Sequence, residues 1–327
     1  MCYAMRHYAY RLLNVFSEST FDGNPLCVFE DGTGLSDAEM QLLARQFNLS
    51  ETTFLLPSEV ADRRVRVFTP GAEMRFAGHP AIGSAHVVRA LDAMCAPATA
   101  PADTGALSFD GAPSLDADHA RDRLTLAFTA GVVPLEANGD VWTFIAPAPG
   151  GVQARSAGVD RATAASWFGL GADDLAGDPM WVDTGSDQLL IPLIDADAVT
   201  RARPNAGLTS DWPASSIGRR TAYLFDVPPP VATDAANAAS VPVATVRVRY
   251  FFVPPAGGVA EDPGTGSACA NLGGWWQATG KSLPLRATVV QGVEMQRTCH
   301  LQLYVDAGGA IHVGGRAREM GRGTIVL

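Results

Sequence analysis

Hydrophobic and polar residues follow two different periods along the first third of the chain. The segment "RRVRVFTP" at 63–70 is apolar at every second position, which is typical of a strand with one buried face. Strand composition also marks three other segments, at 10–17, 25–31 and 51–57. Between them, "LSDAEMQLLARQFN" at 35–48 has apolar residues at helical spacing, with Ser36 as the N-cap and Glu39 as its capping-box partner. We therefore expect strands interrupted by one amphipathic helix.

Two further helical segments lack a polar face. "PAIGSAHVVRAL" at 80–91 and "PGTGSACANLGGWWQA" at 263–278 are small or apolar on nearly every side. A helix of this kind is usually buried in the middle of its domain. With strands on both sides in the sequence, the simplest packing is a sheet curled around one central helix, once in each half of the chain.

The remainder of the chain predicts more strands and two irregular connections. Strand-like segments lie at 123–128, 141–147 and 188–195. An alanine-rich helical stretch is expected at 161–176, and a hairpin followed by a separate final strand "GTIVL" closes the chain. The segments 96–120 and 226–242 are rich in Ala, Pro and Asp and are interpreted as loops.

One segment of the first half recurs in the second. Residues 64–85 match residues 247–268 at nine of 22 positions without a gap, ending in the shared phrase Pro-x-x-Gly-Ser-Ala. A repeat with so long a period indicates a duplicated domain. We therefore predict an α+β fold of two pseudo-symmetric domains, each a curled, mostly antiparallel sheet around a central helix. The first domain covers 1–130 and the second 131–327, and the final strand could cross back to the first.

Composition narrows the class of partner. The formal net charge is -10, which disfavours nucleic acid and anionic membranes because both require a basic face. No apolar run approaches the ~20 residues of a membrane span, and the polar, aromatic start does not resemble a signal peptide. The five cysteines and six histidines show no metal-site spacing. We expect a cytoplasmic protein without a metal site.

The repeated phrase supplies candidate functional residues. Pro80 and Pro263 are expected at the first helical position, with His79 and Asp262 at or beside the N-caps. A helix N-terminus has free N–H groups and a partial positive charge that favour anions. Two such ends facing each other would hold a small carboxylate-bearing substrate. The candidate binding residues, besides these, are Asn24, Gly78, Gly264, Thr265, Gly266 and Ser267.

The two copies differ in chemistry. One carries the imidazole of His79 and the other the carboxylate of Asp262, which favours an asymmetric reaction over a symmetric two-base one. Glu51, in "NLSETTFLLP", opens a predicted strand and aligns with Arg220 in the second half, so its carboxylate belongs to one half only. A single carboxylate beside an anion site could take and return a proton. Asn24, in the turn "DGNP", adds an amide that can both donate and accept.

Four motifs together, "FDGNPLCVF", "NLSETTFL", "FTPGAEMRFAGHPAIGSA" and "AEDPGTGSACANL", resemble the PhzF family of phenazine biosynthesis, within the diaminopimelate-epimerase-like fold. The resemblance implies an isomerase that uses neither metal nor coenzyme, with an active site between two domains. It implies that Glu51 is the acid/base, that His79 and Asp262 assist, and that the backbone of Gly78, Gly266 and Ser267 binds carboxylate. The family prototype isomerises dihydro-3-hydroxyanthranilate, and members tend to form homodimers.

Alternatives remain at this point. An epimerase or lyase acting on an amino-acid-like substrate would use the same fold. A protein that keeps the fold but only binds a small molecule or partner is the other alternative. A two-thiol racemase is disfavoured, because Cys269 is expected inside a helix and Cys27 inside a strand. Arg75 stands where many members of the family have proline, and we expect it to be solvated.

Overall fold

The computed structural model describes residues 5–95, 121–148, 150–227 and 243–327. These residues form seventeen strands and five α-helices. The helices are α1 Asp37–Phe47, α2 Gly78–Cys95, α3 Arg161–Ser166, α4 Ala196–Arg201 and α5 Gly266–Ala278. The first eight strands are β1 His7–Val15, β2 Asn24–Phe29, β3 Glu51–Leu56, β4 Arg63–Phe68, β5 Glu73–Met74, β6 Arg123–Phe128, β7 Gly131–Asn138 and β8 Val141–Ile145. The others are β9 Gln153–Ser156, β10 Met180–Asp183, β11 Gln188–Leu193, β12 Thr221–Asp226, β13 Ala244–Phe252, β14 Ala260–Asp262, β15 Leu285–Gln291, β16 Cys299–Val305 and β17 Ile311–Val326.

A ring of strands surrounds α2. In order around the ring the strands are β17, β1, β2, β3, β4, β6, β7 and β8, and β8 pairs again with β17. The helix packs against seven of them and has almost no polar side chain to expose, so the curled sheet and its central helix form one core. The prediction of a mostly antiparallel sheet around a central helix is confirmed here.

A second curled sheet packs around α5. Its order is β9, β10, β11, β12, β13, β15, β16 and the start of β17. Trp275 and Trp276 are 5% and 8% exposed and belong to this core. The outer helices α1 and α4 occupy equivalent places. In the sequence each helix connects two strands that pair in parallel, β2 with β3 and β11 with β12, and each packs on the outside of its sheet.

The last strand joins the two sheets. β17 pairs with β16 and β8 through its first residues and then with β1 from Ala317 to Val326. It is a single strand, so the prediction of a separate final strand "GTIVL" was wrong. Strands β7 and β8 continue the sheet from β6. The division of the chain near residue 130 stays a prediction.

Most predicted elements of the first half have the expected type. α1 has Ser36 as its N-cap, with the full capping box to Glu39. The helical stretch 161–176 was too long, because only α3 and a 3₁₀ turn at Ala172–Asp174 form within it. Strands β7, β9, β10 and β15 were not predicted. The loop expected at 96–120 and most of that at 226–242 lie outside the described residues.

Candidate active site

The first turns of α2 and α5 meet at the centre of the molecule. A Cβ atom added to Gly78 would lie 3.2 Å from the Cα of Gly266, and one added to Gly266 would lie 3.3 Å from the Cα of Gly78. Each glycine is the first residue of its helix. The close approach leaves little room for a side chain at either position, and it brings two sets of free helical N–H groups together. The structure thus brings together the two helix ends that the sequence indicated.

The start of α2 lies earlier than predicted. The helix begins at Gly78, so His79 is its second residue and Pro80 its third. The N–H of Ala81 donates to the carbonyl of Ala77 at 3.1 Å and closes the first turn. Proline is tolerated anywhere in this turn because its missing N–H has no helical partner there.

The start of α5 lies later than predicted. Its N-cap is Thr265, and Asp262 ends β14, so the placement of Asp262 and Pro263 at the helix start was wrong. Side chains from other elements hold this segment out of the helix. Asn24 Nδ2 donates to the carbonyl of Gly264 at 3.0 Å, and Gln291 Nε2 donates to the carbonyl of Asp262 at 2.7 Å.

The shared phrase therefore occupies different places in the two sheets. Phe68 pairs with Glu73 in the first sheet and Phe251 with Glu261 in the second, so the second connection is five residues longer. From there both chains run the same distance to the first glycine of the helix. Asp262 is consequently the structural counterpart of Met74. The counterpart of His79 is Ser267, and the predicted equivalence of His79 and Asp262 was wrong.

The counterpart of Glu51 also shifts by one residue. Thr52 pairs with Phe68 and Ala222 with Phe251, so Glu51 corresponds to Thr221 and not to Arg220. The second half has no carboxylate at this place, as the sequence argument required.

The side chains of Glu51 and His79 are in contact and largely enclosed within the site. Glu51 is the first residue of β3, and its Oε2 lies 3.1 Å from Nε2 of His79. Their side chains are 15% and 6% exposed. The contact lacks hydrogen-bond alignment, and neither atom has another hydrogen-bond partner among the described residues. Buried polar atoms are almost always hydrogen-bonded, so the missing partners make this pair a candidate for contact with a ligand.

Asp262 lies beside this pair, and two side chains hold its carboxylate. Asn24 Nδ2 donates to its Oδ1 at 3.0 Å, and the hydroxyl of Thr265 donates to its Oδ2. Burial, followed by the nearby charge of Glu51, raises the pKa of Asp262 to about 6, while His79 and the two hydrogen bonds oppose the rise. The carboxyl group can therefore change protonation state near neutral pH.

Several residues of the site were not named as candidates from the sequence. The hydroxyl of Ser50 donates to Asn24 Oδ1 at 3.0 Å and fixes the direction of that amide. Gln291 also accepts from the N–H of Thr265 at 3.1 Å, far from any motif. Gln188 and Asn271 lie behind Ser267. Only an alignment of the two sheets could have pointed to Gln188, which corresponds to Leu26 of the first sheet.

The buried thiols are not suited to proton abstraction. Cys27, Cys269 and Cys299 are each fully buried, and burial raises the pKa of each thiol above its usual value. A protonated thiol is a poor base.

Within the described ranges, no group of three or more His, Cys, Asp or Glu side chains is placed to hold a metal ion. No helix in this part of the chain is long and apolar enough to cross a membrane. Arg75 is exposed, as expected.

Comparison with known proteins identifies the family of the chain. The family model described as phenazine biosynthesis-like protein matches residues 13–110 and 112–325. The chain belongs to this PhzC/PhzF family. An uncharacterized isomerase of Pasteurella multocida is 35% identical over 98% of this chain and 94% of its own length. A PhzF-family protein of Bacillus anthracis has a similar structure, with a TM-score of 0.74 at 22% identity over 98% of this chain and all of that one.

A shorter match concerns a characterised activity. The trans-2,3-dihydro-3-hydroxyanthranilate isomerase of Pseudomonas chlororaphis is 46% identical over 82 residues, which are 25% of this chain and 29% of that protein. As a PhzF-family protein with isomerase relatives, the chain is an enzyme of the isomerase class.

Proposed function

We propose that this enzyme isomerises a small carboxylic acid by moving a proton between two of its carbon atoms, with Glu51 as the acid/base. The observation that carries the proposal is the enclosed contact between Glu51 and His79, whose facing atoms lack hydrogen-bond partners in the described part of the chain. A positioned carboxylate of this kind contributes on the order of 10²–10⁴-fold to a proton transfer.

The residues around Glu51 have separate roles in this proposal. The free N–H groups at Gly78 and Gly266 hold the substrate carboxylate. His79 and Asp262 position the ring and its polar substituents, and Asp262 can hold or release a proton near neutral pH. Asn24 keeps Asp262 in place from the other side of the site. All of these steps use side chains and backbone groups of the chain itself.

The pseudo-symmetry supports an isomerase over a two-base epimerase. An epimerase that removes a proton from one face and returns it from the other would need a titratable group at the end of each helix. The counterparts of Glu51 and His79 are Thr221 and Ser267, which do not titrate near neutral pH. Proton transfer is therefore assigned to one face of the substrate.

The relative from Pseudomonas chlororaphis supplies the substrate for the test. Dihydro-3-hydroxyanthranilate is followed by proton NMR in D₂O with the wild type and with Glu51→Gln. We expect isomerisation with deuterium incorporation in the wild type and a loss of at least about 10²-fold in the variant. Glu59→Gln is the matched control, because Glu59 is exposed and far along the loop after β3.

Three outcomes separate the alternatives. Full activity in Glu51→Gln would remove Glu51 from the mechanism. Deuterium at a stereocentre without a shift of the double bond would favour an epimerase. No reaction of this acid or of related small acids with folded wild type would leave binding without catalysis as the function.

A further inference from the structure

A chain of buried polar side chains lies behind Ser267 and leads to it. Thr184, Asn271 and Gln188 are 5%, 0% and 4% exposed. The N–H and the hydroxyl of Thr184 donate to Asn271 Oδ1 at 2.9 and 2.7 Å. Asn271 Nδ2 donates to the carbonyl of Ser186 and to Gln188 Oε1, both at 2.8 Å. Gln188 Nε2 then donates to the Oγ of Ser267 at 2.9 Å.

Two backbone groups fix the direction of every hydrogen bond in this series of side chains. The N–H of Thr184 can only donate and the carbonyl of Ser186 can only accept, so the amide of Asn271 has one possible orientation. Because Asn271 donates to Gln188, the oxygen of the Gln188 amide must face Asn271 and its nitrogen must face Ser267. The hydroxyl oxygen of Ser267 is thus an acceptor towards the protein.

The hydrogen of the Ser267 hydroxyl is left for a ligand. A serine hydroxyl has one hydrogen to donate, and that of Ser267 donates to no other residue in the described ranges. Ser267 is half-buried and is the second residue of α5, next to the contact between Gly78 and Gly266. Its free hydrogen therefore lies where the two helix ends meet.

We propose that Gln188 and Asn271 are positioning residues that set the Ser267 hydroxyl as a fixed donor to the substrate carboxylate. The inference rests on the proposed function, because it takes the ligand at the helix ends to be a carboxylic acid. A hydroxyl that rotates freely would accept from an amine as readily as it donates to a carboxylate. A hydroxyl that is fixed as a donor favours a ligand group that only accepts, such as a carboxylate. When the ligand has no acceptor at this place, the buried O–H is left without a partner, which weakens binding.

The test compares two probes that differ only in the carboxylate. 3-Hydroxyanthranilate is a stable aromatic acid of the proposed substrate class, and 2-aminophenol is the same ring without the acid group. Their affinities are measured by calorimetry with the wild type, Gln188→Glu and Gln188→Met. Gln277→Glu makes the same charge change at the other end of α5, where Gln277 donates to the carbonyl of Gly309, and serves as the control.

We expect the wild type to prefer the acid. Gln188→Glu places an acceptor where Ser267 needs a donor, so the hydroxyl turns inward and the acid binds about 10- to 100-fold more weakly. The affinity for 2-aminophenol should change by less than about twofold, which is below the effect of one neutral hydrogen bond. Gln277→Glu should keep the wild-type preference.

A double-mutant cycle distinguishes positioning from a purely structural role. If Gln188 acts through Ser267, then Gln188→Met weakens acid binding in the wild type but adds less than about twofold in a Ser267→Ala background. Additive losses would overturn the inference, as would equal losses for both probes with a lowered Tm, or a wild type without preference for the acid. Turnover plays no part in these readouts, so a failure of the isomerase proposal shows separately in the NMR experiment.

Discussion

The first turns of α2 and α5 occupy equivalent places in two similar sheets and carry different chemistry. At the start of α2, the imidazole of His79 faces the carboxylate of Glu51. At the start of α5, Ser267 accepts from the neutral amide of Gln188. In the proposed mechanism the α2 end moves a proton, and the α5 end holds a fixed donor. A duplicated scaffold has thus become an asymmetric site by changing the residues at matching positions.

Asp262 breaks the symmetry in another way. Its counterpart Met74 lies at the end of the short strand β5, whereas Asp262 ends β14 and turns towards the α2 side of the site. The second sheet thus contributes a third titratable group to the cluster formed by the first sheet. The candidate active site is therefore shared between the two sheets, even though the proposed acid/base belongs to one.

The largest expected effect follows from replacing His79 by the residue at its mirror position. His79→Ser removes the imidazole beside Glu51, and we expect kcat to fall by about 10²–10⁴-fold. Ser267→Ala should instead act mainly on KM, because it removes a binding contact. Steady-state kinetics on the acid identified by NMR measures both. Equal effects of the two variants on kcat would show that the two helix ends are not chemically distinct.

The second prediction compares the duplicated arginines. Arg249 makes two hydrogen bonds to Glu261, at 2.9 and 2.8 Å, and its side chain is 6% exposed. Arg66 binds Glu73 in the same way at 2.8 and 2.6 Å, but Glu73 is 34% exposed. Arg249→Met leaves the carboxylate of Glu261, which is only 14% exposed, without its arginine and should cost about 3 kcal/mol. Arg66→Met should cost about 1 kcal/mol.

Urea unfolding of the two variants measures the difference in free energy of unfolding. The two arginines are their own matched pair, since each lies over a phenylalanine ring, Phe251 or Phe68, at 4.7 and 5.0 Å. Equal costs would mean that burial does not distinguish the duplicated ion pairs.

Local sequence patterns predicted elements well and correspondences between the halves poorly. The capping box of α1 and the alternation of β4 are encoded within a few residues, and both were confirmed. The shared Pro-x-x-Gly-Ser-Ala phrase suggested that His79 and Asp262 are equivalent. That was wrong because the connection from Phe251 to its partner Glu261 is five residues longer than the connection from Phe68 to Glu73. This difference is visible only from the pairing of strands across each sheet.

The candidate site shows the same difference between what local motifs predict and what only long-range contacts reveal. Asn24, Glu51, His79 and Asp262 were named from motifs, and the structure brings them within one site. Gln188 and Gln291 were missed because amides inside strands have no motif of their own. Asn271 lies within a quoted motif but was not singled out there. Their importance comes from what they contact at long sequence separation, which only the fold determines.

The third prediction concerns the contact between the helices. Gly266→Ala adds a methyl group 3.3 Å from the Cα of Gly78, and backbone cannot move aside as a side chain can. We expect the free energy of unfolding to fall by about 2 kcal/mol, with loss of acid binding because the two sets of N–H groups separate. Gly71→Ala is the control, because the nearest atom to its added Cβ is 3.9 Å away. Unfolding and calorimetry of both variants test this, and a neutral Gly266→Ala would show that the helix ends can separate without loss.

The smallest expected effect concerns the pH dependence contributed by Asp262. Its pKa rises from 3.8 to about 6 on folding, so the folded state binds more protons than the unfolded state between these values. This contribution to stability is complete below about pH 4 and is lost as the pH rises through 6.

The pKa shift of Asp262 corresponds to a free energy of about 3 kcal/mol. An amide at this position makes weaker hydrogen bonds than the carboxyl group, which reduces the gain from the substitution. Asp262→Asn should therefore stabilise the protein by about 1 kcal/mol at pH 7.5 and lose that advantage near pH 4.5, as measured by thermal unfolding at both values.

Asp173→Asn is the control, because Asp173 is exposed, and its stability relative to the wild type should not change between the two pH values. If Asp262→Asn is equally stable relative to the wild type at both pH values, then Asp262 does not titrate in this range. The difference between the two helix ends would then rest on Glu51 and His79 alone.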